Sequence, residues 1–145
     1  MTTVNIYLTF KDNCKEAFDF YKSVFGGEFA NLSTFGEMPP QEGMPPISED
    51  YKDKIMHVAL PISQETVLMG SDQGGGWGPE VTFGNNFSIS IQTDSKENAD
   101  RLFNGLVEGG QVTMPLADTF WGAYFGMLTD KFGIAWMVNC DVKPS

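Results

Sequence analysis

Two pairs of glycines, Gly26-Gly27 and Gly109-Gly110, each close a stretch whose apolar residues recur at helical spacing, and the second pair follows the first by 83 positions. Ala17, Phe20, Tyr21 and Val24 form the apolar face of the first stretch; Ala99, Leu102, Phe103, Leu106 and Val107 form that of the second. An alternating strand precedes each. In residues 4–10, Val4, Ile6, Leu8 and Phe10 point one way and Asn5, Tyr7 and Thr9 the other. In residues 87–93, Phe87, Ile89 and Ile91 oppose Ser88, Ser90 and Gln92. The same offset carries Asn5 onto Ser88, so polar face falls on polar face. A recurrence spanning a strand and the helix after it marks an internal duplication, and it restricts the chain to folds with two like halves.

The remaining stretches complete the pattern. The first helix opens at Asp12 or Asn13, with Glu16 placed to close a capping box on Asn13; the second opens at Asp94 or Ser95. Residues 28–35, 54–62, 65–71 and 111–116 read as strands. Residues 118–138, DTFWGAYFGMLTDKFGIAWMV, read as strand, tight turn at 129–133, and strand. That last strand puts Trp136 and Val138 on one face, and Ala135, Met137 and Asn139 on the other. Residues 36–53 carry five acidic residues, four prolines, Met38 and Met44, which excludes helix or central strand and leaves a lid or a disordered loop. Gly74-Gly75-Gly76 has no Lys-Ser/Thr pair after it, so it is a connector and not a phosphate cradle. The expectation is a single α+β domain over 1–145. Two βαβββ modules, 1–73 and 85–142, are joined by a Gly-rich linker at 74–84 and curve a mixed sheet around a concave cavity.

Composition narrows the function classes. With 145 residues, 41% hydrophobic and 12 Phe, the chain can bury a sizeable core. Its 19 acidic against 9 basic residues give a net charge of −10, which argues against nucleic acid or an anionic membrane as partner. No apolar run reaches membrane-spanning length and the N-terminus lacks a signal-peptide pattern, so a cytoplasmic protein is expected. Cys14 and Cys140 are too few for a disulfide framework.

The motifs have a family likeness. Tyr7 to Phe10 leading to Asn13-Cys14 and residues 17–21; Met56-His57-Val58; Leu68-Met69 with Ser71-Asp72; residues 99–103; Met114-Pro115-Leu116; and Asp118 to Gly122 running through Asp130 to Gly133 and on to Trp136 together resemble the PhnB-like branch of the vicinal oxygen chelate superfamily. That superfamily contains glyoxalase I, extradiol dioxygenases, fosfomycin-modifying enzymes and bleomycin-binding proteins. The resemblance covers nearly the whole chain and implies a glyoxalase-like fold and a homodimer. Related proteins often carry a demethylubiquinone methyltransferase label, but this chain has no Gly-rich loop between strand and helix for adenosylmethionine.

The resemblance also implies where a divalent ion would sit. Metal-dependent members take His or Gln, and Glu, from the first and last strand of each module. Those positions carry Asn5 and Ser88, and Met69 and Met137, here. Neutral oxygens and thioethers do not make a site for Mg, Mn, Ni or Zn, so neither a metal nor another cofactor is expected.

His57, the only histidine, falls on the face opposite Met56, Val58 and Leu60 and is the candidate general base; a structural histidine is the plainer reading. Asp72 and Asp118 could orient it or bind a cationic ligand, and capping turns is the plainer reading for both. Cys14 sits in a helix's first turn, where a packed side chain is the simpler role. Asn5, Tyr7, Thr9, Met69, Ser88, Ser90, Gln92, Tyr124 and Met137 are the expected lining of a ligand pocket, the plainer alternative being a filled interior; Trp77 and the Met38 to Met44 loop either close over its mouth or form a surface loop or dimer contact. The reading is metal-independent binding of a small organic molecule. The alternative is a superfamily enzyme (lyase, transferase or dioxygenase), metal-free with His57 as acid/base or using a non-standard divalent metal site.

Overall fold

Alternation and helical spacing build the same unit twice. In the computed structural model, which describes residues 2–37, 43, 49–73 and 80–141, the chain divides into Met1–Val81 and Thr82–Ser145. Met38, Met44, Trp77 and glycines 74–76 lie outside the described residues.

The first unit runs β1 (Ile6–Phe10), α1 (Cys14–Phe25), β2 (Asn31–Thr34), β3 (Ile55–Pro61) and β4 (Val67–Asp72), with short 3-10 turns at Phe35–Glu37 and Glu49–Tyr51. Its sheet has the order β1-β4-β3-β2, with β1 parallel to β4 and the other pairs antiparallel. The second unit runs β5 (Ile89–Thr93), α2 (Lys96–Val107), β6 (Gln111–Asp118), β7 (Ala123–Thr129) and β8 (Ala135–Asp141), ordered β5-β8-β7-β6. The registers repeat as well: Tyr7 pairs Met69 in the first sheet, and Ser90 pairs Met137 in the second. The fold is α+β, two four-stranded mixed sheets each carrying one helix.

In the first unit α1 buries Cys14, Ala17, Phe18, Tyr21 and Val24. The spacing had pointed to Phe20, but Phe18 is the residue that goes inside; Phe20 stays partly exposed and packs its ring on Tyr21 at 5.7 Å. Phe18 meets Phe10 edge-on at 6.1 Å and Tyr21 at 5.6 Å, over Val58, Leu60 and Leu68. Gly70 makes this close approach possible, because a Cβ there would lie 2.6 Å from the Phe18 ring and 2.8 Å from the Leu8 carbonyl. Gly126 does the same for Phe103 of α2, at 2.9 Å.

The expected capping box does not form: Asn13 makes no side-chain cap bond. The buried carboxylate of Asp72 replaces it. Its Oδ1 accepts from the Cys14 N–H at 2.9 Å, and its Oδ2 accepts from the Ile55 N–H at 2.8 Å. One side chain at the end of β4 therefore holds the first turn of α1 and the start of β3. In the second unit Ser95 caps α2, accepting from the Asn98 N–H at 3.1 Å. Buried Asp130 accepts from the N–H groups of Phe132 and Ile134 and from the Trp136 indole at 2.8 Å, closing the β7–β8 turn.

Two stability predictions follow from this geometry. Asp72→Ala strands two buried N–H groups and should cost about 3 kcal/mol in urea unfolding, and Asp72→Asn about half of that, because the amide keeps one acceptor oxygen. Gly70→Ala should cost about 2–3 kcal/mol by overpacking. Gly122→Ala, where nothing lies within 4 Å but φ is +88°, should cost about 1 kcal/mol of backbone strain. Equal costs at the two glycines would contradict the packing account.

Candidate functional site

Strand alternation leaves each sheet with a face opposite its helix, called here its far face. In the first unit Leu8, Phe10, Val58, Leu60 and Leu68 are buried toward α1, so Tyr7 and Thr9 of β1, His57 of β3, and Met69 and Ser71 of β4 project from the far face. Ser33 of β2 joins them, paired directly opposite His57; Thr9 pairs Ser71. The Tyr7 and His57 rings stack at 6.0 Å with 27° between their planes, and Tyr7 is 50% exposed. The structure thus brings four of the expected residues, Tyr7, Thr9, His57 and Met69, onto one surface. Asn5 is not among them. It precedes β1, and its Oδ1 accepts from the Val67 N–H at 3.0 Å, extending the β1–β4 ladder by one bond.

In the second unit Trp136, Val138 and Cys140 are buried toward α2, so Ser90, Gln92, Met137 and Asn139 share the far face with Phe125 and Met127. Asn139 donates from Nδ2 to Gln92 Oε1 at 2.6 Å and to Asp141 Oδ1 at 3.2 Å. Phe125 continues at 6.1 Å into Trp121, which meets Phe120 at 5.0 Å; Phe120 is 97% exposed. Ser88 lies in irregular chain ahead of β5.

Tyr124 belongs to the other side. It has the strand parity of Gly126, which faces Phe103, and its hydroxyl donates to Asp100 of α2 at 2.6 Å. Lys96 Nζ lies 5.1 Å from its ring centroid and pairs with Asp118 at 2.9 Å. Tyr124 therefore fastens β7 to α2 and does not line the surface that carries Met137. Ser33, Ser71, Phe125 and Met127 are far-face residues absent from the expected lining; Asn139 was read onto the face of Met137 but not into that lining. Its alternation with buried Cys140 is a signal the sequence does contain, whereas the burial of Asp72 beside Ser71 is not.

The His57 ring makes no hydrogen bond among the described residues, and both candidate orienting carboxylates are engaged elsewhere. Asp72 is engaged on the α1 side, and Asp118 pairs with Lys96. Cys14 is buried, and desolvation, helped by the Asp72 charge, pushes its thiol far above the usual range, so it is an inert core residue.

Asn5 and Ser88, which the resemblance assigned to first-strand ligand positions, fall just outside β1 and β5, and the four residues so assigned do not fit a divalent ion. The Asn5 oxygen already holds an amide, Met69 and Met137 offer soft thioethers, and Ser88 a neutral hydroxyl. Among the described residues no group of three His, Cys, Asp or Glu side chains could hold a metal.

The family model described as 3-demethylubiquinone-9 3-methyltransferase matches residues 2–139. Among solved structures, protein PA1353 from Pseudomonas aeruginosa is 45% identical with a TM-score of 0.83, over 99% of this chain and 100% of that one. The chain is also similar to a PhnB protein from Bacillus cereus, described as a putative 3-demethylubiquinone-9 3-methyltransferase, at 24% identity and TM-score 0.74 over 96% and 99%. A glyoxalase/bleomycin resistance protein/dioxygenase family enzyme from Burkholderia phytofirmans shares the fold at 16% identity and TM-score 0.58, over 95% and 97%.

The Tyr124–Asp100 bond makes a pH prediction. The bond raises the tyrosine pKa above its ordinary 10.0, so the folded state favours the protonated phenol. That contribution is fully present below the unfolded pKa and disappears as pH rises through the folded value. Wild type should therefore lose its stability advantage over Tyr124→Phe above about pH 10, measured by unfolding at pH 7 and across pH 9.5–11. A constant difference over that range would exclude the bond as its source.

Proposed function

Because the chain belongs to the family described as 3-demethylubiquinone-9 3-methyltransferase, the PhnB-like branch of the glyoxalase/bleomycin-resistance/dioxygenase superfamily, we propose that it binds a small organic molecule without a divalent metal. The observation that carries this reading is the donor chemistry. On the family resemblance, Met69 and Met137 stand where metal-dependent relatives place carboxylates; hydrogen-bonding side chains share their faces, Tyr7, Thr9 and His57 in one unit and Ser90 and Gln92 in the other. Thioethers and aromatic rings make adaptable apolar contacts, and a few polar groups fix the orientation of a bound molecule.

Methyl transfer from adenosylmethionine has less support. The turns between β1 and α1 and between β5 and α2 contain no glycine, and one N–H in the first turn of each helix is already bonded, that of Cys14 to Asp72 and that of Asn98 to Ser95. A second reading, a metal-free enzyme, draws on His57: the sole imidazole, partly exposed, with no hydrogen-bond partner among the described residues and available to move a proton. We also propose a homodimer, as the family resemblance implies, and no nucleic acid or membrane partner. Among the described residues no helix is long and apolar enough to cross a membrane.

Metal retention separates the readings. After exposure to Mn, Ni, Zn and Fe(II) and desalting, the tag-free protein should hold far less than one equivalent of any of them. Near-stoichiometric retention would replace the binding reading with a metal enzyme. Once a ligand is found, His57→Ala should weaken its affinity; unchanged affinity with lost turnover would establish the enzyme instead.

A further inference from the structure

The two duplicated far faces differ in how much hydrogen-bonding capacity they leave unused. In the second unit Gln92 and Asn139 bond one another, Asn139 also reaches Asp141, and Phe125, Met127 and Met137 make up much of the remainder. In the first unit the side chains of Tyr7, Thr9, Ser33, His57 and Ser71 make no hydrogen bond among the described residues. They come from all four strands. Ser33 lies directly opposite His57 and Thr9 opposite Ser71, and the Tyr7 ring reaches across to stack on His57 at 6.0 Å. Side chains opposed in this way stand about 5 Å apart at Cβ, close enough for one small molecule to touch several of them.

We propose that the far face of the first unit is the polar recognition surface of the binding site, and that it takes a planar, neutral organic group of the aromatic amide class, with both donor and acceptor atoms. This rests on the small-molecule reading above and names which unit does the recognising and what it recognises. The chemistry follows from the side chains present. Hydroxyls both donate and accept, and an imidazole does one of each, so the complementary group must do both. The Tyr7–His57 pair offers ring faces for a planar group. Neutrality follows because no Lys, Arg, Asp or Glu occupies a far-face position in β1 to β4, and because the net charge of −10 repels anions.

His57 is the only histidine, so its ring Cε1–H signal in a carbon–proton NMR spectrum reports on this face alone. Methionine methyl signals of Met127 and Met137 report on the other. Nicotinamide, titrated into full-length protein at pH 8, should shift the His57 signal saturably, and pyridine, which lacks the amide, should not. Tyr7→Phe keeps the stacked ring and removes the hydroxyl, and should weaken nicotinamide about three- to tenfold; Ser71→Ala should do the same. Saturable shifts at Met127 and Met137 with His57 unmoved would overturn this assignment while leaving small-molecule binding intact. An equal response to pyridine would overturn recognition of the amide group. No saturable shift in either unit would overturn the proposal, and stoichiometric metal retention would separately remove the reading beneath it.

Discussion

The architecture of the first unit depends on a carboxylate with no solvent around it. Asp72 ends β4 with its side chain pointing at α1, where it takes the N–H of Cys14 with one oxygen and that of Ile55 with the other. Two chain segments far apart in sequence are thereby fixed to the same strand end, and buried amides that would otherwise lack partners are satisfied. The consequence for the far face is direct. With Asp72 committed inward, alternation turns Ser71 and Met69 outward, and the pairing of β1 on β4 then turns Thr9 and Tyr7 outward beside them. The chemistry of the outer surface is set by a bond on the inner one.

The second unit reaches the same topology by different means. The residue that pairs with Thr93 as Asp72 pairs with Phe10 is Cys140, which cannot accept two amides, and Ser95 takes over the helix cap. Rigidity is supplied at the other end of β8, where Asp130 gathers the β7–β8 turn and the Trp136 indole. Each unit also keeps a glycine beneath a helix phenylalanine, Gly70 under Phe18 and Gly126 under Phe103, although the two glycines sit on non-equivalent strands. What the halves share is register and helix position. The side chains that enforce them have diverged, and the far faces have diverged with them.

Most of the elements were legible in the sequence because hydrophobic periodicity reports directly on which side of a strand or helix is buried. The errors came where periodicity is ambiguous. Phe18 and Phe20 both lie near the apolar arc of α1, and only the space above Gly70 decides for Phe18. Tyr124 was assigned to the wrong face because β7 carries large residues on both sides; Gly126, which must lie under Phe103, sets the parity. Asp72 looked like a turn cap, since nothing local shows that a carboxylate will be buried against amides at positions 14 and 55. Ser33 escaped notice because β2 is only 4 residues long and has too little alternation to read.

A far face without ionic groups has a particular way of being selective. No ionic side chain on it pairs with a ligand, and the net charge of −10 disfavours the anions that many small metabolites carry. Discrimination must then come from the penalty for mismatch. A molecule that covers Tyr7, Thr9, Ser33, His57 and Ser71 removes water from side chains with no hydrogen-bond partner among the described residues, and each group it leaves unsatisfied costs about 1–3 kcal/mol. An apolar molecule of similar shape is rejected by that penalty, and an adaptable methionine wall does nothing to offset it. Met69, set among these hydroxyls and paired with Tyr7, offers an adaptable apolar contact while its neighbours offer hydrogen bonds. A thioether in that place leaves any recognition on this face to hydrogen bonds, rings and soft apolar contact.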